Sequence, residues 1–160
     1  MTTLTAEGLV LRQWEDSDAA ALVAIYRDPA MRRWVRVPVT TTEEATAWVA
    51  AQQEGWQTGN RHSFAVVDDE RLVGCVVVKR RVEVGYWTAA HARGRDVASR
   101  GVRALADWAL GNGATTLELR HQTDNAASCR VAEKSGFLLK ETLPATPPWP
   151  LPGHLHVRTS

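Results

Sequence analysis

His91-Ala92-Arg93-Gly94-Arg95-Asp96-Val97-Ala98 stands between a strand-like stretch, Val82-Glu83-Val84-Gly85-Tyr86-Trp87, and a run of apolar residues at helical spacing. A strand, a turn carrying glycine and arginine, and a helix N-terminus make a natural holder for phosphates. Unpaired N–H groups point out of the first helical turn, the macrodipole adds about half a positive charge, and Arg93 and Arg95 contribute full ones. The same pattern also serves an ordinary capped connection with solvated arginines, and these residues alone leave both readings open. No Gly-Lys-Ser/Thr follows, so a Walker-type phosphate loop is excluded.

Working outward, the stretch before this turn alternates: Val82, Val84 and Tyr86 share one face, while Glu83, Gly85 and Trp87 share the other. That parity favours Tyr86 as a core residue over its alternative as an acid, and directs attention to Glu83. Upstream, Phe64-Ala65-Val66-Val67 and Leu72 to Val78 flank Asp68-Asp69-Glu70 as an antiparallel hairpin, and Leu9-Val10-Leu11 is a further strand. Asp16-Ser17-Asp18 offers capping oxygens to a helix through Leu22 and Ile25, which Asp28-Pro29 ends. Thr41-x-x-Glu44 is a capping box ahead of a stripe formed by Ala45, Trp48, Val49 and Trp56.

Downstream, Ala98, Gly101, Val102, Leu105, Trp108 and Ala109 lie on one helical face with Arg100, Arg103 and Asp107 opposite, and Gly111-Asn112-Gly113 stops the helix. Leu117 and Leu119 alternate with polar neighbours as a strand, and Asp124 or Asn125 caps a helix that ends at Gly136. Phe137-Leu138-Leu139 and His154-Leu155-His156-Val157 are the last strands, separated by a loop extended by Pro147, Pro148 and Pro150. The expected fold class is α/β (α+β): a single mixed sheet of about seven strands flanked by helices.

The chain has 160 residues, 44% of them hydrophobic, which suits one domain over 1–160 with its own core. Nineteen Lys and Arg against eighteen Asp and Glu leave a net charge of +1, so no molecular field gathers nucleic acid or an anionic membrane. The basic, aromatic segment Met31-Arg32-Arg33-Trp34-Val35-Arg36 is accordingly read as a short helix with solvated arginines. No apolar run approaches the roughly 18 residues that cross a bilayer, and the start lacks a leader pattern, so a cytoplasmic location is expected. Cys75 and Cys129 are read as reduced. His154 and His156 point the same way on a strand, but the spacing names no third ligand, so no metal is expected. No histidine is evidently paired with Cys129, which argues against an acyl-cysteine.

Three ordered motifs resemble the GNAT acetyltransferases, in particular the branch of ribosomal-protein N-terminal acetyltransferases. They are Glu83-Val84-Gly85-Tyr86-Trp87, Ala92-Arg93-Gly94-Arg95-x-Val97-Ala98, and Asn125-x-x-Ser128-x-Arg130-Val131-Ala132-Glu133-Lys134-x-Gly136-Phe137. The resemblance implies a splayed, mostly antiparallel sheet with acetyl-coenzyme A wedged into the splay. It implies pyrophosphate binding on Arg93, Gly94, Arg95, Asp96, Val97 and Ala98. Trp87 and Thr88 match the strand end whose backbone meets the acetyl group, and Asn125 and Ser128 the positions nearest the pantetheine arm and sulfur.

The chain departs from the family pattern at Asp96, where glycine is usual. Aspartate adds bulk and a negative charge where phosphate must approach. Arg93 and Arg95 can neutralise it, it can turn to solvent, or it can cap the helix, in which case it occupies the amides that phosphate needs.

Acetyl transfer to an amine needs a neutral amine and a stabilised leaving thiolate. An α-amino group with pKa near 7.7–8.0 is neutral in roughly a tenth of molecules or more at pH 7, a lysine only about once in a few thousand. The resemblance makes Glu83 the base, directly or through water; its alternative is pairing with Arg81 or a neighbouring strand. Ser128 is read as the proton donor to sulfur, or else as a first-turn hydroxyl bonding the backbone. The acceptor is an amine, whether a peptide N-terminus or a small molecule, and the Trp149 loop can line its channel, cover a sheet edge or join two copies as a homodimer. The competing expectation is a GNAT-fold binding module whose coenzyme site Asp96 has damaged, or an enzyme using another acyl donor.

Overall fold

The computed structural model describes residues 1–34 and 39–160; Arg36 and the Trp34 side chain of the basic segment lie outside what is described. Strands β1 (Leu4–Ala6), β2 (Leu9–Arg12), β3 (Arg61–Asp68), β4 (Arg71–Lys79) and β5 (Glu83–Thr88) run in sequence order, each antiparallel to the next. They continue into β6 (Thr116–Gln122), β8 (Gly153–Thr159) and β7 (Leu138–Leu143), giving one sheet of eight strands ordered β1-β2-β3-β4-β5-β6-β8-β7. Seven match the alternating runs; the eighth, β1, has only three residues, too few for periodicity to register.

Helices cover both faces. α1 (Ala19–Ile25) and α3 (Thr42–Thr58) pack on one, with Leu22, Ala45 and Val49 buried against Ala65, Leu72 and Cys75. α3 starts after Thr41 as expected, the Glu44 N–H donating to Thr41 Oγ1 at 3.1 Å. The Glu44 carboxylate accepts from the Thr40 and Thr41 hydroxyls in place of the reciprocal backbone bond of a capping box. α4 (Val97–Gly111) lies on the other face, where Val102, Leu105 and Ala106 are fully buried. Burying a residue such as Leu105 contributes about 1.5–3 kcal/mol. Gly101 permits this close approach, since a Cβ there would lie 3.0 Å from a Val76 methyl. α5 (Ala126–Lys134) sits beside α4, and α2 (Pro29–Trp34) follows α1 directly, Pro29 ending one helix and opening the next. The proline loop before β8 turns instead of extending: Trp149 N–H donates to Thr146 O at 2.8 Å. No helix among the described residues is long and apolar enough to cross a membrane.

The feature that positions the site is the single parallel junction. β5 and β6 pair only at Glu83↔Glu118 and Val84↔Leu119, whereas β5 stays paired to β4 as far as Thr88, and β6 to β8 as far as Gln122. Beyond Val84 the two strands therefore diverge, and the half-sheets part like a V whose mouth lies at Thr88 and Gln122.

Candidate active site

Strand geometry decides which atoms face the V. The Ala89 N–H donates to Val73 O on β4, and a Cβ on Gly74 would touch the Trp87 carbonyl at 2.8 Å, so the main chain of Trp87 faces β4. Val82 O accepts from Glu118 N–H on β6. Backbone direction alternates along a strand, so Tyr86 and Thr88 present their N–H and C=O to the V. Of the two strand-end positions singled out by sequence, Thr88 offers its backbone to the cleft, and Trp87 offers instead an aromatic side chain on the opposite face.

At the mouth a short turn at Ala90–Ala92 leads into the Arg93–Asp96 segment and α4. Gly94 adopts φ +81 and a Cβ there would meet nothing within 4 Å, so the main chain is open to a ligand. Asp96 also takes the left-handed conformation, φ 57 and ψ 26, which explains why glycine suits the position and why aspartate, among the side chains most tolerant of it, can replace it. Its carboxylate makes no helix cap. It pairs instead with Lys134 Nζ at 2.8 Å, and this hydrogen bond holds the carboxyl below its ordinary range. Neither Arg93 nor Arg95 is its partner: Arg93 pairs with Asp28 and Arg95 with Asp68. The first helical bond of α4 runs from Arg100 N–H to Asp96 O, which leaves the amides of Val97, Ala98 and Ser99 without helical acceptors. Arg95, Arg100, Arg103 and Lys134 surround them in a shallow depression. An open glycine, free amides and exposed cations fit the phosphates of a coenzyme A.

Deeper in the V, the Tyr86 hydroxyl is 2.5 Å from Ser128 Oγ, across from β5 to α5. The Tyr86 ring packs on the core, as its parity favours, while its hydroxyl reaches the site. Burial raises its pKa, so it holds its proton at neutral pH and can donate to Ser128, leaving the serine proton free to point outward. Asn125 caps α5, its Oδ1 accepting from Ser128 N–H at 3.2 Å. Glu83 lies elsewhere. It belongs to the closed end of the V, side chain about half exposed at 47%, with Lys79 Nζ 4.0 Å away on the neighbouring strand. Four residues of strand, about 13 Å, separate it from Trp87.

On the α1/α3 face, Trp87 packs among Trp14 and Tyr26, ring centroids 6.2 and 5.8 Å away. α2 crosses the mouth here, tied to both sides: Asp28 before it pairs with Arg93, and Arg33 within it with Asp124 Oδ2 at 3.1 Å. The Arg93 hydrogen bond lowers the pKa of Asp28.

Three histidines and a cysteine converge beside Ser128, the combination that spacing could not name. His121 stands directly across from His154 in the β6/β8 register, His156 follows on the same face, and Cys129 reaches them from α5. The Cys129 sulfur lies 3.5 Å from His154 Nδ1 and 3.6 Å from His156 Nε2, so the cysteine does have paired imidazoles. The parity of His121 with Leu119 was available in the sequence; the strand register that sets it against His154 was not.

A family model for the acetyltransferase (GNAT) domain matches residues 8–138. No curated protein matches the sequence. Among solved structures, a ribosomal-protein alpha-N-acetyltransferase, RimL, in complex with coenzyme A superposes with TM-score 0.90 at 18% identity, covering 99% of this chain and 98% of that one. An acetyl transferase from Salmonella typhimurium that modifies the N-terminal serine of a 50S ribosomal subunit protein gives 0.86 at 18%, covering 99% of both chains. The microcin self-immunity acetyltransferase MccE, in complex with acetyl-CoA and AMP, gives 0.87 at 14%, covering 96% of this chain and 93% of that one.

Proposed function

The chain belongs to the GNAT acetyltransferase domain family, and on that premise we propose that it moves the acetyl group of acetyl-coenzyme A directly to a primary amine, with the α-amino group of a polypeptide as the favoured acceptor. The observation that carries this reading is the V between β5 and β6, with unpartnered α4 amides at its mouth and the Tyr86–Ser128 pair within it.

The amides of Val97 and Ala98, with Gly94, Arg93, Arg95 and the Asp96–Lys134 pair around them, hold the pyrophosphate. Asn125 and the exposed edge of β5 hold the pantetheine arm, as an added strand is held by a sheet edge. When bound, the coenzyme supplies an activated acetyl thioester. A main-chain N–H of Tyr86 or Thr88 polarises its carbonyl. Ser128, held by Tyr86, donates a proton to the departing sulfur, and the proton that the amine releases to water makes this good, so that Ser128 and Tyr86 both end the cycle protonated. The acceptor enters under α2, along Trp87. An α-amino group needs little help to lose its proton, which suits a site where Glu83 is about 13 Å from the strand end and serves as proton acceptor only through water. The RimL and Salmonella structures, both of enzymes acting on ribosomal-protein N-termini by their descriptions, support a polypeptide acceptor.

Calorimetric titration of acetyl-coenzyme A into the native chain and into Asp96→Gly tests the reading. Binding by both, with affinities within about tenfold, is expected because an exposed ion pair contributes little. Binding by Asp96→Gly alone would make the chain a GNAT-fold protein with a disabled coenzyme site.

A further inference from the structure

The His/Cys cluster has no part in the transfer just described, and its three shortest ligand-atom distances are close to those of a metal centre. Tetrahedral zinc, with Zn–N about 2.0–2.1 Å and Zn–S about 2.3 Å, sets its ligand atoms about 3.3 Å apart for two nitrogens and about 3.5 Å for nitrogen and sulfur. Here His121 Nε2 and His156 Nε2 are 3.0 Å apart, the Cys129 sulfur is 3.5 and 3.6 Å from its two imidazole nitrogens, and one ligand atom from each of the four residues lies within 4.8 Å of the others.

The protonation pattern of His121 agrees. His121 Nδ1 lies 2.7 Å from Gln122 O, and a carbonyl only accepts, so the proton sits on Nδ1 and the Nε2 lone pair is turned into the cluster. His156 is 1% exposed and directs its own Nε2 at that lone pair. Without an ion the contact is a hydrogen bond with the proton on His156 Nε2; an ion accepts both lone pairs at once and moves the His156 proton to Nδ1, which is buried without a partner among the described residues.

We propose that His121, Cys129, His154 and His156 bind one zinc ion, through Nε2, Sγ, Nδ1 and Nε2 respectively. Binding forms four metal–ligand bonds, releases the Cys129 thiol proton to solvent and leaves three neutral imidazoles, for a net centre charge of +1. Four protein ligands close the coordination sphere, so the ion is structural. Its purpose is legible in the fold: α5 buries only Ser128 and Ala132, a thin apolar anchor for the helix that carries Asn125 and Ser128. The ion ties the first turn of α5 to β6 and β8 and thereby fixes the α5 wall of the V.

The test is metal binding by the full chain, stripped with chelator and titrated with cobalt(II) as a spectroscopic stand-in, then with zinc. One equivalent of cobalt is expected to give a thiolate charge-transfer band and the intense visible bands of a four-coordinate ion, both displaced by zinc. Zinc about a thousandfold above its dissociation constant should raise the melting temperature by roughly 10 °C. Cys129→Ser should abolish the charge-transfer band and most of the melting shift, and His154→Gln should weaken binding; both positions are only partly buried, and a melting curve without metal confirms that each variant folds. Cobalt binding without a thiolate band, equal affinity in Cys129→Ser, or no zinc-dependent melting shift in the native chain would each overturn the site. None of these readouts depends on coenzyme binding, so this proposal and the acetyltransferase reading fail separately.

Discussion

The two walls of the V are built in different ways. The β5 wall is continuous in sequence: Tyr86, Thr88, Gly94, Asp96 and the first amides of α4 lie within one short stretch. The opposite wall is assembled from β6, α5 and β8, so that His121, Cys129 and His154 meet only through strand pairing and helix docking. The first wall offers main-chain groups in the geometry that any strand, turn and helix would give. The second offers side chains, whose usefulness depends on packing. Under the proposed function the locally folded wall supplies most of the coenzyme contacts, and the wall that must be held in place supplies Ser128 as the proton donor.

The sharpest way to break this division is at Ser128. Ser128→Ala should lower kcat by about a hundredfold or more while leaving coenzyme affinity within about tenfold, because a positioned proton donor contributes about 10²–10⁴; Tyr86→Phe should show the same split to a smaller degree. Steady-state kinetics beside calorimetry measures it, and an unchanged kcat would reduce the α5 wall to a scaffold. The closed end of the V is probed next. Glu83→Gln should flatten the rise of rate with pH if Glu83 receives the proton through water, and an identical profile in the two proteins removes it from that role.

The smallest effect is expected at the mouth. Lys134 lowers the folded-state pKa of Asp96, so the contribution of this pair is fully present above the ordinary carboxylate range, about pH 4, and is lost as pH falls through the lowered value. Melting curves of the native chain and Lys134→Ala should therefore differ by at most a few degrees at pH 7 and converge in strong acid. A large difference at neutral pH would mean that the pair holds α5 to α4 far more firmly than an exposed ion pair does.

Much of the fold was legible because each helix and strand carries its own period. The Thr41 cap, the Val97–Gly111 stripe, the continuous apolar runs of β3 and β4 and the alternation in β5 are local signals, and each appears where the residues put it. Asp96 shows where that legibility ends. Its departure from glycine was plain in the sequence, as were the ways to soften it, but the partner is Lys134, 38 positions away on another helix. Tyr86 was placed on the right face and its ring packs on the core there, but parity fixes the direction of a ring and says nothing of what its hydroxyl meets.

By itself the sequence determined most of the strands and helices and the glycine- and arginine-bearing turn before α4, which depend on residues close together in the chain, and three ordered motifs that carry the family. Only the tertiary structure decided where β5 and β6 part, that Ser128 meets Tyr86, and that three histidines and a cysteine share one centre. These are consequences of register and docking, where a shift of one residue turns a side chain to the other face of the sheet. No local pattern records that choice; the whole core makes it.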